Sequence, residues 1–164
     1  MNEMTTKLDS NQNQYEERVV QVNRVSKKRA GGSRISFSVV VVVGNKKGKV
    51  GVGLGKAPSV AQAVAKATAY AKKHLIDVPL KGTTIPHSIR VKKGAAIVLL
   101  KPAPAGSGII AGGPIRTVVE AAGVIDISAK ILGTKNQASN VYATLEALKR
   151  LRHLRKEENE TKRS

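Results

Sequence analysis

Hydrophobic and polar residues alternate along the first third of the chain and then change to a helical period. The segment RVVQVNRV, residues 18–25, alternates as a β-strand does, and the β-branched run at 35–43 predicts a second strand paired with it. In residues 48–55, valine and leucine alternate with glycine, which predicts a glycine-rich third strand. Pro58 then begins a helix whose apolar stripe is predicted at Val60, Val64, Ala67, Ala71 and Leu75.

This first unit, β-β-β-α, is predicted to end before a Pro/Gly/Thr connector at 79–86. Beyond the connector, two strand-like runs at 87–93 and 95–101 are joined by a glycine, and a long glycine-rich loop follows them. The pattern therefore predicts an N-terminal domain at 18–78, a linker at 79–86 and a C-terminal domain at 87–155.

The rest of the second unit is predicted as a short helix, a strand and a last helix. Pro114 begins the short helix and Gly123 ends it, and residues 124–132 have the composition of a strand. Ser139 or Asn140 is the predicted N-cap of the last helix, whose apolar stripe is Val141, Leu145, Leu148 and Leu151.

Both ends of the chain are predicted to lie outside the fold. Residues 1–17 are polar and aperiodic, as in a disordered tail, and the mixed charges of 156–164 predict a mobile one. The fold class is therefore α+β with two small domains. The longest apolar run, 39–43, is far shorter than the roughly 20 residues that cross a bilayer, and the N-terminus lacks an apolar signal core. We expect a soluble, unprocessed chain without membrane contact.

The composition excludes several kinds of functional site. The chain has no cysteine, which excludes a disulfide framework, a thiolate zinc site and a cysteine nucleophile. The histidines at 74, 87 and 153 lack the paired spacing of a metal site, and each is interpreted as a surface or boundary residue. We expect no catalytic residue, no cofactor and no metal.

Charge gives the strongest functional signal. The formal net charge is +18, and no Asp or Glu occurs between Glu17 and Asp77. Unneutralised like charges repel one another, so the arrangement is favourable only with an external polyanion such as a phosphate backbone. The candidate RNA contacts are Arg24, Lys27, Lys28, Arg29, Arg34, Lys46, Lys47, Lys49 and Lys56.

Structured RNA is favoured over DNA because no helix-turn-helix, zinc finger or basic zipper is present. Few aromatic residues argue against a single-strand reader that works by stacking. The β-β-β-α unit resembles a double-stranded-RNA-binding domain without its first helix. Lys56 is predicted beside the N-terminus of the first helix, where phosphate is favoured, and Gly31 and Gly32 would let the loop backbone lie flat against RNA.

Two glycine-rich motifs suggest enzymes. GVGLGK, at 51–56, is G-x-G-x-G and lacks the Ser or Thr of a phosphate-binding P-loop, so we interpret it as a strand that permits close approach of a helix or of RNA. PAPAGSGIIAGGPIR resembles the phosphate loop of small-molecule kinases of the galactokinase–homoserine kinase type. Phosphoryl transfer needs more carboxylates than Glu120 and Asp126 supply. A free-standing RNA-binding protein and a phosphotransferase stay as alternatives.

Six motifs in order resemble the family of bacterial small-subunit ribosomal protein five. They are VNRVSKKRAGGSRISF, VGNKKGKVGVGLGKA, TTIPH, PAPAGSGIIAGGPIR, AAGVIDISAK and NVYATLEAL. The resemblance covers 16–151 and implies a C-terminal left-handed β-α-β two-layer domain of the type shared with those kinases. It implies a structural protein of the small ribosomal subunit that binds rRNA and contributes to assembly, to decoding accuracy and to the channel through which mRNA enters.

The resemblance also implies specific contacts. The loop 27–34 would insert into rRNA near the head–body junction, where spectinomycin binds, although Ala30, Ser33 and Ile35 replace residues usual in the family. Arg116 would face small-subunit protein four, and the last helix, with Lys149 and Arg152, would face protein eight. Because a cation opposes the dipole in the first turns of a helix, we expect Arg116 to need a carboxylate or carbonyl from outside. The ribosome would be cytoplasmic, with an organelle as the alternative.

Overall fold

The computed structural model describes residues 15–152, which form two four-stranded sheets and three helices. The first half contains β1 (Glu16–Arg29), β2 (Gly32–Gly44), β3 (Lys49–Ala57), α1 (Val60–Lys73) and β4 (Ile76–Asp77). The second half contains β5 (Ile89–Lys93), β6 (Ala96–Pro102), β7 (Ile109–Ile110), α2 (Gly113–Ala122), β8 (Ile127–Ile131) and α3 (Gln137–Arg150). The predicted α+β class is confirmed.

The two sheets differ in topology. The first is antiparallel in the order β1-β2-β3-β4, with α1 on one face. The second has the order β5-β6-β8-β7, in which β7 and β8 are parallel and joined through α2. The first half therefore has the predicted β-β-β-α order with a short fourth strand, and the second half contains the predicted β-α-β unit.

The valine run of β2 is buried on both faces of the first sheet. Val39, Val41 and Val43 pack against the alanines of α1, whereas Val40 and Val42 belong to a core that includes α2 and α3. Side chains alternate between the two faces of a strand, so an unbroken apolar run requires cover on both sides. The C-terminal half supplies the second cover, and the two halves share one core.

Helix α1 lies directly on the glycines of β3. A Cβ at Gly51, Gly53 or Gly55 would overlap the backbone carbonyl oxygen of Ala71, Ala67 or Ala63, respectively. The close approach explains why the helix buries Ala63, Ala67 and Ala71, whereas Val60 is 40% exposed. The predicted apolar stripe of α1 was therefore wrong at Val60, because the line of closest helix–sheet contact runs through Ala63, Ala67 and Ala71, and Val60 does not lie on it.

The predicted linker 79–86 is held within the fold. Lys81 and Thr84 form a β-bridge, and Ile85 is completely buried in the shared core. The turn between β2 and β3 also binds the second half, because the N–H of Lys46 donates to the carbonyl of Ala121 at 3.0 Å. The sheets change at the predicted linker, but packing continues across it.

Several predicted boundaries differ from the structure. Strand β1 begins at Glu16, inside the predicted tail, because Glu16 and Glu17 pair in register with the end of β2. Their side chains also form ion pairs with neighbouring residues. Asn136, rather than Ser139 or Asn140, caps α3 by accepting from the N–H groups of Ala138 and Ser139.

Strand β8 is shorter than predicted, and α2 ends as predicted at Gly123 in a left-handed conformation. Residues 1–14 of the predicted N-terminal tail, the predicted C-terminal tail at 156–164 and His153 lie outside the described residues. In the described part of the chain, no helix is long and apolar enough to cross a membrane.

Candidate nucleic-acid interface

The segment predicted as a basic loop is a long β-hairpin, which we define as residues 24–36. Strands β1 and β2 stay paired to Arg29 and Gly32, leaving Ala30 and Gly31 as the turn. Strand β3 ends at Ala57 opposite Phe37, so the hairpin projects beyond the three-stranded sheet as a two-stranded ribbon. At about 3.3 Å per residue, the ribbon extends roughly 15 Å past Phe37.

The hairpin presents cations on both of its faces. Lys27 and Arg34 are register partners and therefore share one face, which strand alternation also assigns to Arg29. Arg24 and Lys28 lie on the other face. All five residues are exposed, and none forms an ion pair with another described residue. Two directly opposed cations destabilise an isolated ribbon, which makes an external anion favourable.

The tip is open rather than packed. Gly31 has φ +95° and Gly32 has φ +155°, and a Cβ at either would meet no atom within 4 Å. Gly31 therefore adopts a backbone conformation that residues with side chains disfavour. No neighbouring atom would clash with a side chain there. The pair leaves a smooth backbone surface between the flanking cations.

Three of the predicted RNA contacts lie at the opposite end of the sheet. Lys46, Lys47 and Lys49, which we call the far-end cluster, are in or beside the β2–β3 turn. Gly32 and Gly44 are twelve positions apart along β2, which corresponds to about 40 Å. One compact RNA site cannot include both the hairpin and this cluster.

The far-end cluster is partly neutralised within the chain. The Nζ atom of Lys46 lies 2.8 Å from a carboxylate oxygen of Glu16, and hydrogen bonds from Lys46 and Arg18 hold the pKa of Glu16 below its usual value. Lys46 also has a left-handed φ of 58°, set by its contact with the end of α2. Lys47 and Lys49 stay exposed.

Lys56 is not placed as the sequence predicted. Its neighbours Gly55 and Ala57 face α1, so strand alternation directs Lys56 to the opposite face, away from the helix N-terminus. Its register partner is Ser38. Because Arg34 has the same parity on β2 as Ser38, Lys56 shares a face with Lys27 and Arg34 rather than with the helix.

Arg116 belongs to an ion-pair group between the two halves. Its Nε atom donates to Glu120, one turn later in α2, at 3.0 Å, and Arg18 of β1 also donates to Glu120. Partial burial raises the pKa of Glu120, but hydrogen bonds from the two guanidinium groups outweigh it and lower that pKa. The expectation that Arg116 needs a carboxylate from outside was wrong, because Glu120 of the same helix supplies one. Beside it lies an open pocket of about 480 Å³.

Lys149 and Arg152 lie at and just beyond the end of α3, and both are exposed. Arg150, between them, pairs with Glu146 at 3.0 Å. The N–H of Arg152 donates to Nε2 of His87, so this histidine fixes the chain after the helix. Lys149 and Arg152 interact favourably with the negative end of the helix dipole and stay available to a partner.

The kinase-like glycine loop is turned inward onto a carboxylate of this chain. Asp126 is buried and accepts from the N–H of Gly108 at 2.8 Å. Hydrogen bonds from Thr83, Gly108 and Gly106 lower the pKa of Asp126. The loop's donors therefore already bind an anion. The only sign of this role in the sequence is weak, namely an isolated carboxylate eighteen residues after a glycine.

Among residues 15–152, no group of three His, Asp or Glu residues could hold a metal ion. Comparison with known proteins identifies two adjacent matches. Residues 15–79 match the family described as ribosomal protein S5, N-terminal domain, and residues 91–162 match ribosomal protein S5, C-terminal domain. The small ribosomal subunit protein uS5 of Thermosynechococcus vestitus is 54% identical over 139 residues, which are 84% of this chain and 80% of that protein.

Proposed function

Because the chain belongs to the ribosomal protein S5 family, we propose that it is a structural rRNA-binding protein of the small ribosomal subunit. It works without catalysis, in a cytoplasmic or organellar ribosome. It supports subunit assembly, decoding accuracy and the channel through which mRNA enters.

One observation carries the RNA-binding assignment. The hairpin projects from the body, bears cations on both faces and has no ion pair to any described residue. Residues that serve only folding would be packed or neutralised, because exposed like charges oppose the folded state. We assign the main rRNA contact to the hairpin cations and to the backbone at Gly31 and Gly32, with Lys56 on the adjoining sheet face.

The far-end cluster is assigned a separate contact, because about 40 Å of β2 lies between it and the hairpin tip. Its available cations are Lys47 and Lys49, whereas Lys46 is already paired with Glu16. RNA bound at both ends would lie along the length of the sheet. The protein would then hold two rRNA segments at a fixed separation.

Salt dependence tests the assignment with the full-length chain and small-subunit rRNA. The isolated first half is unsuitable because it would expose Val40, Val42 and Val50 to water. Neutralising about 6–10 phosphates predicts an affinity loss on the order of a thousandfold or more between roughly 50 and 200 mM salt. A nearly flat salt response would contradict the proposal.

Charge removal locates the contact. Replacing Lys27, Lys28, Arg29 and Arg34 by Gln should flatten the slope of log affinity against log salt by about 3–4. The matched control replaces four exposed lysines of other segments, Lys81, Lys92, Lys101 and Lys130, by Gln. An equal effect of both quadruple variants would show general attraction rather than a hairpin site.

Protein partners are assigned to two other places, protein four at Arg116 and protein eight at Lys149 and Arg152. The open pocket beside Arg116 and Glu120 supports the first, and the exposed cations after α3 support the second. Arg116→Gly should weaken association with protein four in reconstituted subunits more than it weakens rRNA binding. Loss of rRNA binding alone would refute the protein interface.

A further inference from the structure

Helix α1 carries a stacked aromatic pair on its solvent side. The rings of Tyr70 and His74 have centroids 4.1 Å apart and planes inclined by 22°. Nδ1 of His74 lies 2.9 Å from the carbonyl oxygen of Tyr70, which fixes the imidazole against the phenol. Tyr70 is nonetheless 48% exposed. In a chain with only three tyrosines and one phenylalanine, such a pre-formed exposed pair is unusual.

Another tyrosine, on α3, also lies near a lysine. Tyr142 of α3 is half-buried, and burial raises its pKa, with a smaller contribution in the same direction from Tyr70. The ammonium of Lys93 lies 5.6 Å from the centre of the Tyr142 ring. Strand β3 pairs with β4 only at its first two residues, so the rest of that edge of β3 has no strand partner within the described chain.

Cations accompany the aromatic pair along the helix. Lys66 and Lys73 lie one turn before and one turn after Tyr70, both are exposed, and neither forms an ion pair with another described residue. Lys72, on another side of the helix, is by contrast paired with Glu17 at 2.9 Å. The nearest carboxylate in sequence is Asp77, beyond the end of the helix on β4.

We propose that Tyr70 and His74, flanked by Lys66 and Lys73, form a second RNA-binding surface that stacks an unpaired base of small-subunit rRNA. This proposal rests on the proposed function but concerns a different part of the molecule, because α1 covers the body of the sheet and the hairpin projects beyond it. The unneutralised lysines favour a polyanion over an apolar protein face.

Stacking suits this pair for a physical reason. Every base has a π-face, so an aromatic platform with a neighbouring cation binds single-stranded RNA with little sequence preference. The rings are already held against each other, so a base added to the stack orders few further side-chain torsions. A role of His74 in ending the helix would not by itself explain why the phenol ring of Tyr70 is exposed.

Ultraviolet crosslinking tests the contact directly. Full-length protein is assembled into small subunits without mRNA and irradiated, and crosslinked peptides are identified by mass spectrometry. We expect a crosslink between an rRNA nucleotide and Tyr70 or His74. Subunits that yield hairpin crosslinks but none from α1 would overturn the proposal and leave the proposed function intact.

Substitutions supply the second measurement, the affinity of the full-length chain for small-subunit rRNA. Tyr70→Leu combined with His74→Leu should weaken binding at least about fivefold, whereas Tyr70→Phe, which keeps the ring, should bind like the wild type. The melting temperature of each variant shows that the fold is kept. The rRNA affinity of the quadruple hairpin variant is measured in parallel.

The outcomes separate the two proposals. Unchanged affinity of the double variant beside a weakened hairpin variant would refute only the α1 surface. Loss of a neighbouring protein with unchanged rRNA affinity would make α1 a protein interface and would also refute the proposal. If neither variant alters rRNA binding, both proposals fail.

Discussion

Glycines near basic residues occur in two regions of this molecule and do opposite things. In β3, Gly51, Gly53 and Gly55 let the backbone of α1 touch the sheet, and any Cβ there would overlap a helix carbonyl. At the hairpin tip, Gly31 and Gly32 have open space around them. The β3 glycines therefore serve packing, and the tip glycines serve backbone conformation and surface shape. Residue type and local charge alone do not separate these two roles.

The largest expected effect is on the packed side of this comparison. Gly53→Ala places a methyl group against the carbonyl oxygen of Ala67, so α1 must move away from a sheet that it contacts closely. We expect the free energy of unfolding to fall by about 3 kcal/mol, measured by urea denaturation of the full-length chain.

Gly31→Ala is the matched control for this substitution. It meets no atom and carries only the cost of positive φ, about 1 kcal/mol. Equal losses from the two alanine substitutions would show that helix–sheet contact is not what the β3 glycines provide.

The loop that binds Asp126 is an intermediate case, with positive φ at Gly106 and Gly108 but an internal partner for its N–H groups. The lowered pKa of Asp126 means that its carboxylate stabilises the fold fully above the unfolded pKa, near 3.9. This stabilisation is lost as the pH falls through the lower folded pKa. Asp126→Asn should therefore melt well below the wild type at neutral pH, and the difference should shrink in acid below about pH 4.

Asp77→Asn, at an exposed carboxylate, controls for the change in net charge and should change the melting temperature little at any pH. A constant difference between wild type and Asp126→Asn from neutral pH to about pH 3 would contradict the role assigned to the ionised carboxylate.

The smallest expected effect on stability is at the tip. Gly32→Val meets no atom and lies far from the shared core, but a β-branched side chain is strained at the φ of +155°, so the free energy of unfolding should fall by about 1 kcal/mol. The β-branched side chain should nevertheless obstruct close approach of RNA. We expect a clear change in subunit assembly, translation accuracy or spectinomycin response in a variant that stays folded and melts only a few degrees below the wild type. A variant that unfolds, or one that leaves all three readouts unaltered, would make the tip a structural turn.

Local pattern was sufficient for much of the architecture. Alternation and glycine content located β1, β2 and β3, and Pro114 and Gly123 located α2. Predictions failed where a distant segment decided the outcome. Val60 was expected inside because its spacing fits the stripe, but the line of closest contact with β3 runs through Ala63, Ala67 and Ala71. One failure was local instead: Arg116 was expected to need a carboxylate or carbonyl from outside, although Glu120 follows one turn later in the same helix.

The candidate site divides in the same way. The sequence identified the cations and the stretch without carboxylates, because charge is a property of composition and needs no fold. It grouped Lys27 with Lys46, which the strands hold at opposite ends. It also interpreted His74 as a surface or boundary residue, since its stacking on Tyr70 is not visible in sequence.

The sequence by itself determined that this chain is a basic α+β protein with a glycine-rich sheet and a need for a polyanion. Those properties follow from periodicity, backbone freedom and net charge, which act over a few residues or over the whole composition. Only the tertiary structure decided that the two halves share a core, that each glycine either packs or stays open, and which cations face outward together. These depend on contacts between segments far apart in the chain, where the burial of one side chain is set by the shape of another.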